Sequence, residues 1–232
     1  MTVVLAIRCS DGVVIGSDSQ ITEPGRGLSY PAQKLHPLGD QAAWGGSGAR
    51  SVLGEVEVAF DQSAAAILDA DDISRALQER VVPIQRYHYE HFIEDVPGED
   101  GSGGPSAYVL AAGWRDGPWI IEVNPHGMVS HYEDVGFHAI GSGAPMAQQA
   151  GVLLSHFRMT ERTTPYGVVA VIRVLDALAV TSPSVGGPID ACAITADGAR
   201  ALDEADIEEA RGHVRRWVDR EEDVLDGLLD DD

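Results

Sequence analysis

Apolar residues at Val3, Val4, Leu5 and Ile7, and again at Val13, Val14 and Ile15, flank the polar triplet Ser10-Asp11-Gly12. Asp-Gly between two apolar runs is a strong short-range hairpin signal, so residues 1–17 are expected to form two paired strands. Pro24, Gly25, Arg26 and Gly27 mark a loop, and a short apolar segment at Ala42-Ala43-Trp44 meets Gly45-Gly46-Ser47-Gly48. Beyond those glycines, Val52, Leu53, Val56 and Phe60 fall at the one-, three- and four-residue spacings of a helix. A second helix is expected from Asp72, a suitable N-cap ahead of Ile73 and Leu77, through Tyr87 towards Phe92. Pro83 is expected to kink that helix or divide it.

Residues 97–105 are the most loop-like stretch and read as a surface loop inside one domain. Apolar runs at 108–113 and 119–123 flank Asp116-Gly117, a second hairpin signal, and residues 127–131 and 137–140 extend the meander. Helices are expected at about 145–157 and 166–180, the latter with Val169, Ile172, Leu175 and Leu178 on one face. A strand at 189–195 and a charged amphipathic helix at about 206–218 close the pattern. Two antiparallel sheets face to face with helices on both outer surfaces would satisfy this order. The expected organisation is one domain over 1–232, with 221–232 an acidic tail.

Composition narrows the class. With 44% apolar residues the chain of 232 can supply a substantial core. No run approaches the roughly 18 apolar residues of a membrane span, and residues 1–7 lack the basic flank and cleavage site of a secretory signal. The expectation is therefore a cytoplasmic protein without a membrane partner, in which Cys9 and Cys192 are buried free thiols. A net charge of −21, from 37 acidic and 16 basic side chains, repels phosphate backbones and argues against nucleic acid. Much of the acid lies at Glu221, Glu222, Asp223, Asp226 and Asp230-Asp231-Asp232, which read as a solvated end.

The chemistry begins at Thr2. A threonine hydroxyl is a poor nucleophile until a base takes its proton. Removal of Met1 would free an α-amine on the same residue, and an amine of pKa about 7.7–8.0 can serve as that base. Asp18 ends the second strand, where a hairpin returns it beside Thr2, and Lys34 follows an irregular loop. A buried lysine would depress the amine pKa and steady an ionising hydroxyl, and a carboxylate would hold that lysine charged. Gly45-Gly46-Ser47-Gly48, read as the entry to a helix, offers backbone N–H groups suited to an oxyanion hole. Each residue taken alone also fits a surface ion pair or an ordinary tight turn.

The order Thr2, then Gly12-Val13-Val14-Ile15-Gly16-Ser17-Asp18-Ser19-Gln20, then Lys34, then Trp44-Gly45-Gly46 resembles the opening of proteasome β subunits and of the HslV peptidase. Gly141-Ser142-Gly143 before a helix and Gly186-Gly187-Pro188-Ile189-Asp190 before a late strand are similar to further family segments. The resemblance spans residues 2–195. It implies a four-layer αββα sandwich, assembly into rings or related multimers, and peptide-bond hydrolysis by the N-terminal threonine. Carried over, Thr2 is nucleophile and amine base, and Asp18 with Lys34 is the supporting pair. Gly46 gives the oxyanion N–H, in an alignment that can slip to Gly48, and Ser142 joins the network around the amine.

Substrates would be peptides or unfolded proteins, and an ATP-driven unfoldase is a conceivable partner. The start on a strand, with only Met1 ahead of Thr2, resembles the β type and its simpler bacterial relatives. Two positions depart from the full pattern. Ser182 stands where an aspartate is expected, and Val185, which can neither donate nor accept, stands where a serine is expected. A non-catalytic ring subunit, or a hydrolase of small amides on the same fold, are the competing readings. No cofactor or metal is expected. His88, His91 and Glu94 read as a polar helix face, and Gly141-Ser142-Gly143 lacks the lysine of a nucleotide loop. Ser142 also lacks the Gly-x-Ser-x-Gly elbow of a serine hydrolase. Ile21, His36 and Arg50 are guessed to line a specificity pocket.

Overall fold

The computed structural model describes residues 2–23, 28–93, 104–182 and 185–228. The loop residues 24–27, most of the 97–105 stretch, Glu94 and Asp230–Asp232 lie outside them. Strands β1 (Val4–Arg8) and β2 (Gly12–Asp18) form the expected hairpin, with Val4 opposite Ser17 and Arg8 opposite Val13. The Asp-Gly signal works here for reasons other than turn geometry. A Cβ at Gly12 would lie 2.0 Å from the Ile194 carbonyl oxygen of a neighbouring strand. The Asp11 carboxylate accepts from the Thr164 N–H (2.7 Å), satisfying one orphan donor at a helix start.

Two short strands, β3 (Gln20–Glu23) and β4 (Leu28–Pro31), pair only with each other, and neither was expected. Strand β5 (Leu35–Leu38) was also missed because Pro37 interrupts its pattern; it sits at a sheet edge, where a proline is tolerated. Strand β6 runs from Ala42 to Gly48, and the helix α1 spans Arg50–Leu68. The helix α2 (Ile73–Glu90) is capped by Asp72, whose side chain accepts from the Arg75 N–H (3.0 Å). Pro83 does not divide α2. The carbonyl it leaves without a donor, that of Glu79, is on the solvent-facing side, and Leu77, Val81 and Gln85 hold the helix on the sheet.

The second meander follows as β7 (Ala107–Trp114), β8 (Pro118–Val123), β9 (Val129–His131) and β10 (Phe137–Ile140). Then come α3 (Ala144–Ser155), α4 (Thr164–Thr181), β11 (Ile189–Thr195), β12 (Gly198–Ala201) and α5 (Glu204–Gly227). Helix α5 continues nine residues past the expected end, so Glu221 to Asp226 are helical rather than a loose end.

The strands build two antiparallel sheets in the orders β10-β1-β2-β11-β12 and β5-β6-β7-β8-β9. Both faces of β1 are buried, which explains its unbroken apolar run. Val4 and Ala6 meet Leu35, Ala43 and Leu110 of the other sheet, whereas Leu5 and Ile7 meet Val171, Val174 and Leu175 of α4. On the far side Trp44, Val109 and Ile121 lie under Val56 and Phe60 of α1 and Leu77 and Val81 of α2. The result is the αββα four-layer sandwich implied by the resemblance. Helix α4 is apolar enough to pass a length and hydropathy test for a membrane span, but eight of its residues are buried between sheet and α5. Asp11→Ala is expected to cost about 1 kcal/mol, the usual value of a lost helix cap, with the denaturation midpoint as the readout.

Candidate active site

Two backbone connections fix Thr2. Its N–H donates to Ser142 Oγ (3.1 Å), and its carbonyl accepts from the Gly143 N–H (3.1 Å). Ser142 reaches this position because β10 pairs with β1, Ile140 opposite Val4, and the chain then turns sharply at Gly141. Gly141 has φ +97°, and a Cβ there would lie 2.2 Å from the Thr2 carbonyl oxygen. Helix α3 begins immediately afterwards.

Asp18, at the end of β2, is the hub of the site. Its carboxylate accepts from the Val3 N–H (2.9 Å), the Gln20 N–H (3.2 Å) and the Gly186 N–H (3.4 Å). The Lys34 ammonium lies 2.9 Å from both carboxylate oxygens and donates to the Gln20 carbonyl (2.6 Å). Asp18 is 1% and Lys34 7% exposed, so this is a desolvated ion pair and not a surface contact. Burial lowers the Lys34 pKa from its ordinary value; the hydrogen bond and charge of Asp18, then the charge of Asp190, oppose that fall. Val3 therefore joins the Thr2–Ser142 contact to the Asp18–Lys34 pair within one residue.

Gly46 is placed differently from the expectation. Gly45 to Gly48 are not a turn into a helix but the last residues of β6, opposite Leu110 to Ala107 of β7. The last pair with β5 is Leu35 with Gly45, so β6 runs on past β5 by three residues. Glycine is needed at position 46 because Leu53 of α1 lies over it, 2.3 Å from where a Cβ would stand. Ser47 Oγ would be 3.1 Å from a Cβ on Gly141, which brings this end of β6 beside the Thr2 turn.

The two departures are also located. Ser182 is buried at the C-terminal end of α4, and its carbonyl accepts from the Val185 N–H (3.1 Å). Val185 is buried in the cluster with Val3 and Leu5, its methyl group close to Gly143. An apolar contact thus stands where the family pattern has a hydroxyl. Among the guessed pocket residues, Ile21 pairs with Tyr30, whose hydroxyl accepts from Arg50 (2.8 Å). His36 turns instead to Glu57 of α1 (3.1 Å) and stacks on Trp44.

Other groups near the site were not anticipated. Ser19 Oγ lies 2.6 Å from the Pro188 carbonyl and 3.1 Å from Asp190, tying β11 to the turn after Asp18. The only available signal was that Asp190 interrupts an otherwise apolar strand. On β10, buried His138 bonds Glu122 of β8 and Gln148 of α3 and stacks on Tyr132. Away from the site, two residues of the anticipated polar helix face are bonded: His88 of α2 to Glu55 (3.0 Å), and His91, just past the helix, to the Tyr87 carbonyl (2.8 Å). Among the described residues no group of three or more His, Cys, Asp or Glu side chains could hold a metal.

No family model matches the chain. Among curated proteins it is similar to proteasome subunit beta type-10 of Mus musculus, 27% identical over 202 residues, covering 86% of this chain and 67% of that protein. The Rattus norvegicus protein of the same description is 26% identical, with the same coverage. Among solved structures it resembles Anbu (ancestral beta-subunit) from Yersinia bercovieri, TM-score 0.74, 15% identical, covering 98% of each chain. An Anbu (Gly-1) mutant from Hyphomicrobium sp. strain MC1 gives 0.72 at 16% identity, covering 99% of each chain. The similarity to proteasome β subunits is weak but consistent, and the fold is that of the two Anbu structures.

Asp18→Asn would leave the Lys34 ammonium buried without its carboxylate, which is expected to cost about 3–5 kcal/mol near neutral pH. With Asp18 gone, the folded pKa of Lys34 falls further below its unfolded value. Stability of the variant then rises with pH as the buried lysine loses its proton. The loss relative to the parent should therefore be smaller at pH 10 than at pH 6; equal losses in denaturation at both would contradict it.

Proposed function

We propose that this chain is a self-assembling threonine-type peptidase, working with Thr2 as its N-terminal nucleophile after Met1 is removed. The carrying observation is that the Thr2 nitrogen sits 3.1 Å from Ser142 Oγ while the next N–H, that of Val3, is held by the Asp18–Lys34 pair. Once trimmed, that same nitrogen becomes an α-amine, on the residue that carries the hydroxyl. The amine accepts the Thr2 hydroxyl proton as Oγ attacks a scissile carbonyl carbon. The carbonyl oxygen becomes an oxyanion, for which the open end of β6 at Gly46 supplies an N–H. Collapse breaks the C–N bond, the ammonium returns its proton to the leaving amine, and an ester on Thr2 remains. Water, deprotonated by the same amine, hydrolyses that ester.

Lys34 has two tasks in this scheme. Its positive charge disfavours a second cation nearby, which keeps the amine partly neutral, and it stabilises the ionising hydroxyl. Asp18 keeps Lys34 protonated against the effect of burial. Ser142 positions the amine by accepting from it. The substrates in this reading are peptides and unfolded chains, which an ATP-driven unfoldase could deliver. Cys9 and Cys192 are both buried and unpaired, with burial raising their pKa values to about 12 and about 11, which suits a reducing cytoplasm.

Val185 favours a second reading, a ring subunit of the same fold that does not cleave, because the hydroxyl expected there is replaced by a methyl packed on Gly143. Peptide hydrolysis by the Met1-trimmed protein separates the two. The peptidase reading expects Thr2→Ala to remove hydrolysis, Thr2→Ser to retain a reduced rate, and Lys34→Ala to lower kcat at least 100-fold. A trimmed parent protein no more active than Thr2→Ala would favour the non-cleaving subunit.

A further inference from the structure

Lys34 is the only lysine in the chain; every other strongly basic side chain is arginine. Among the described residues it is also the only one of these that is buried. A guanidinium keeps its proton in any surroundings, whereas a buried ammonium loses its own readily. The chain thus uses lysine at the one place where the charge of a buried cation depends on its neighbours. Asp18 supplies one carboxylate in direct contact. A second carboxylate is built into the adjoining strand.

Asp190 is the second residue of β11 and stands directly opposite Ser17 of β2. Ser17 and Ser19 are two apart, so they fall on one side of that segment and both flank Asp190. The Ser19 hydroxyl is shared between the Pro188 carbonyl (2.6 Å) and the Asp190 carboxylate (3.1 Å), and the Ser19 N–H donates to the Gly186 carbonyl (3.2 Å). Through Ser19, Asp190 therefore holds residues 186–188 against the turn after β2. The Gly186 N–H of that same segment is the one that reaches Asp18 (3.4 Å). Ser17 is fully buried, and among the described residues its hydroxyl has no hydrogen-bond partner. A buried orphan donor is costly, and the residue across the ladder from this one is a carboxylate. The charge of Asp190 acts on Lys34 in the same sense as that of Asp18, against the effect of burial.

We propose that Asp190 is a positioning residue of the Thr2 site, a second carboxylate that acts through Ser19 on the Gly186 segment and through its charge on Lys34. Asp18 fixes where the ammonium sits, and Asp190 helps to keep it charged at and above neutral pH. The charged groups that act on Lys34 are then Asp18 of β2 and Asp190 of β11, joined by the Thr2 amine once Met1 is removed. The effect on hydrolysis rests on the proposed function; the effect on Lys34 does not.

The sole lysine makes the test direct. In full-length protein carrying isotope-labelled lysine, Lys34 gives the single lysine NMR signal, and its change with pH reads the ammonium itself. Asp190→Asn keeps an oxygen for Ser19 to donate to and removes only the charge. The titration midpoint of Lys34 is expected to fall by roughly half a pH unit or more, the scale set by a carboxylate a few ångströms from a cation. A midpoint equal to that of the parent would overturn the proposal. Asp190→Ser gives the same reading should the asparagine variant fail to fold. In peptide hydrolysis by the Met1-trimmed protein, the alkaline limb of kcat/KM should move to lower pH together with the Lys34 midpoint. A uniform loss at every pH, with that limb in place, is what a merely structural Asp190 would give and would contradict the proposal. Ser19→Ala cuts the link and leaves both charges; it is expected to lower kcat roughly tenfold through misplacement without moving the limb. Full activity in that variant would remove the part assigned to Ser19. If no sample hydrolyses peptide at any pH, the threonine reading fails, while the Lys34 midpoint still decides for or against Asp190.

Discussion

The buried pair between Asp18 and Lys34 is the interaction on which the site depends. A carboxylate and an ammonium taken out of water cost several kcal/mol each unless their remaining hydrogen-bonding capacity is used. Here it is used: one carboxylate receives Val3, Gln20, Gly186 and Lys34, and the ammonium also reaches the Gln20 carbonyl. Each of those donors comes from a different segment, namely the entry to β1, the turn after β2, the entry to β11 and the entry to β5. The pair therefore holds four chain segments in fixed relation, and Thr2 is one residue from one of them. A polar network of this kind restricts the backbone geometry more tightly than an apolar contact of similar size, which can be satisfied in several arrangements.

Much of this was readable from residue order alone. The hairpin at Asp11-Gly12, the apolar run of β11, the amphipathic face of α4 and the cap at Asp72 were all legible, because each is a local rule with a local consequence. Thr2, Asp18, Lys34 and Ser142 were named together, and the structure brings them into two linked contacts. What was not legible depended on neighbours distant in sequence. Gly45-Gly46-Ser47-Gly48 looks like a turn, yet it is strand, because β7 pairs with it and Leu53 requires the missing side chain. β5 carries a proline that only its edge position excuses. Ser19 and Asp190 are 171 residues apart and meet only because β11 pairs with β2.

The end of α5 shows the same limit from the other side. Read as composition, residues 221 onward are a solvated acidic end; in three dimensions residues 221–227 continue an amphipathic helix whose apolar stripe has no partner among the described residues. Glu221 is already committed to Arg173 (3.0 Å), which in turn lies over Trp217. Charge that looked dispensable in sequence thus helps set the direction in which the apolar stripe projects.

The central claim is that the nitrogen of Thr2 is placed to become a catalytic base once it is freed. Intact mass measured before and after treatment with a covalent threonine-directed inhibitor tests this most directly, with Thr2→Ala as reference. The account expects a parent protein lacking Met1 that gains one inhibitor mass per chain on Thr2, with no gain in the variant. A parent that lacks Met1 yet takes up no inhibitor, or takes it up equally when Thr2 is alanine, would contradict it.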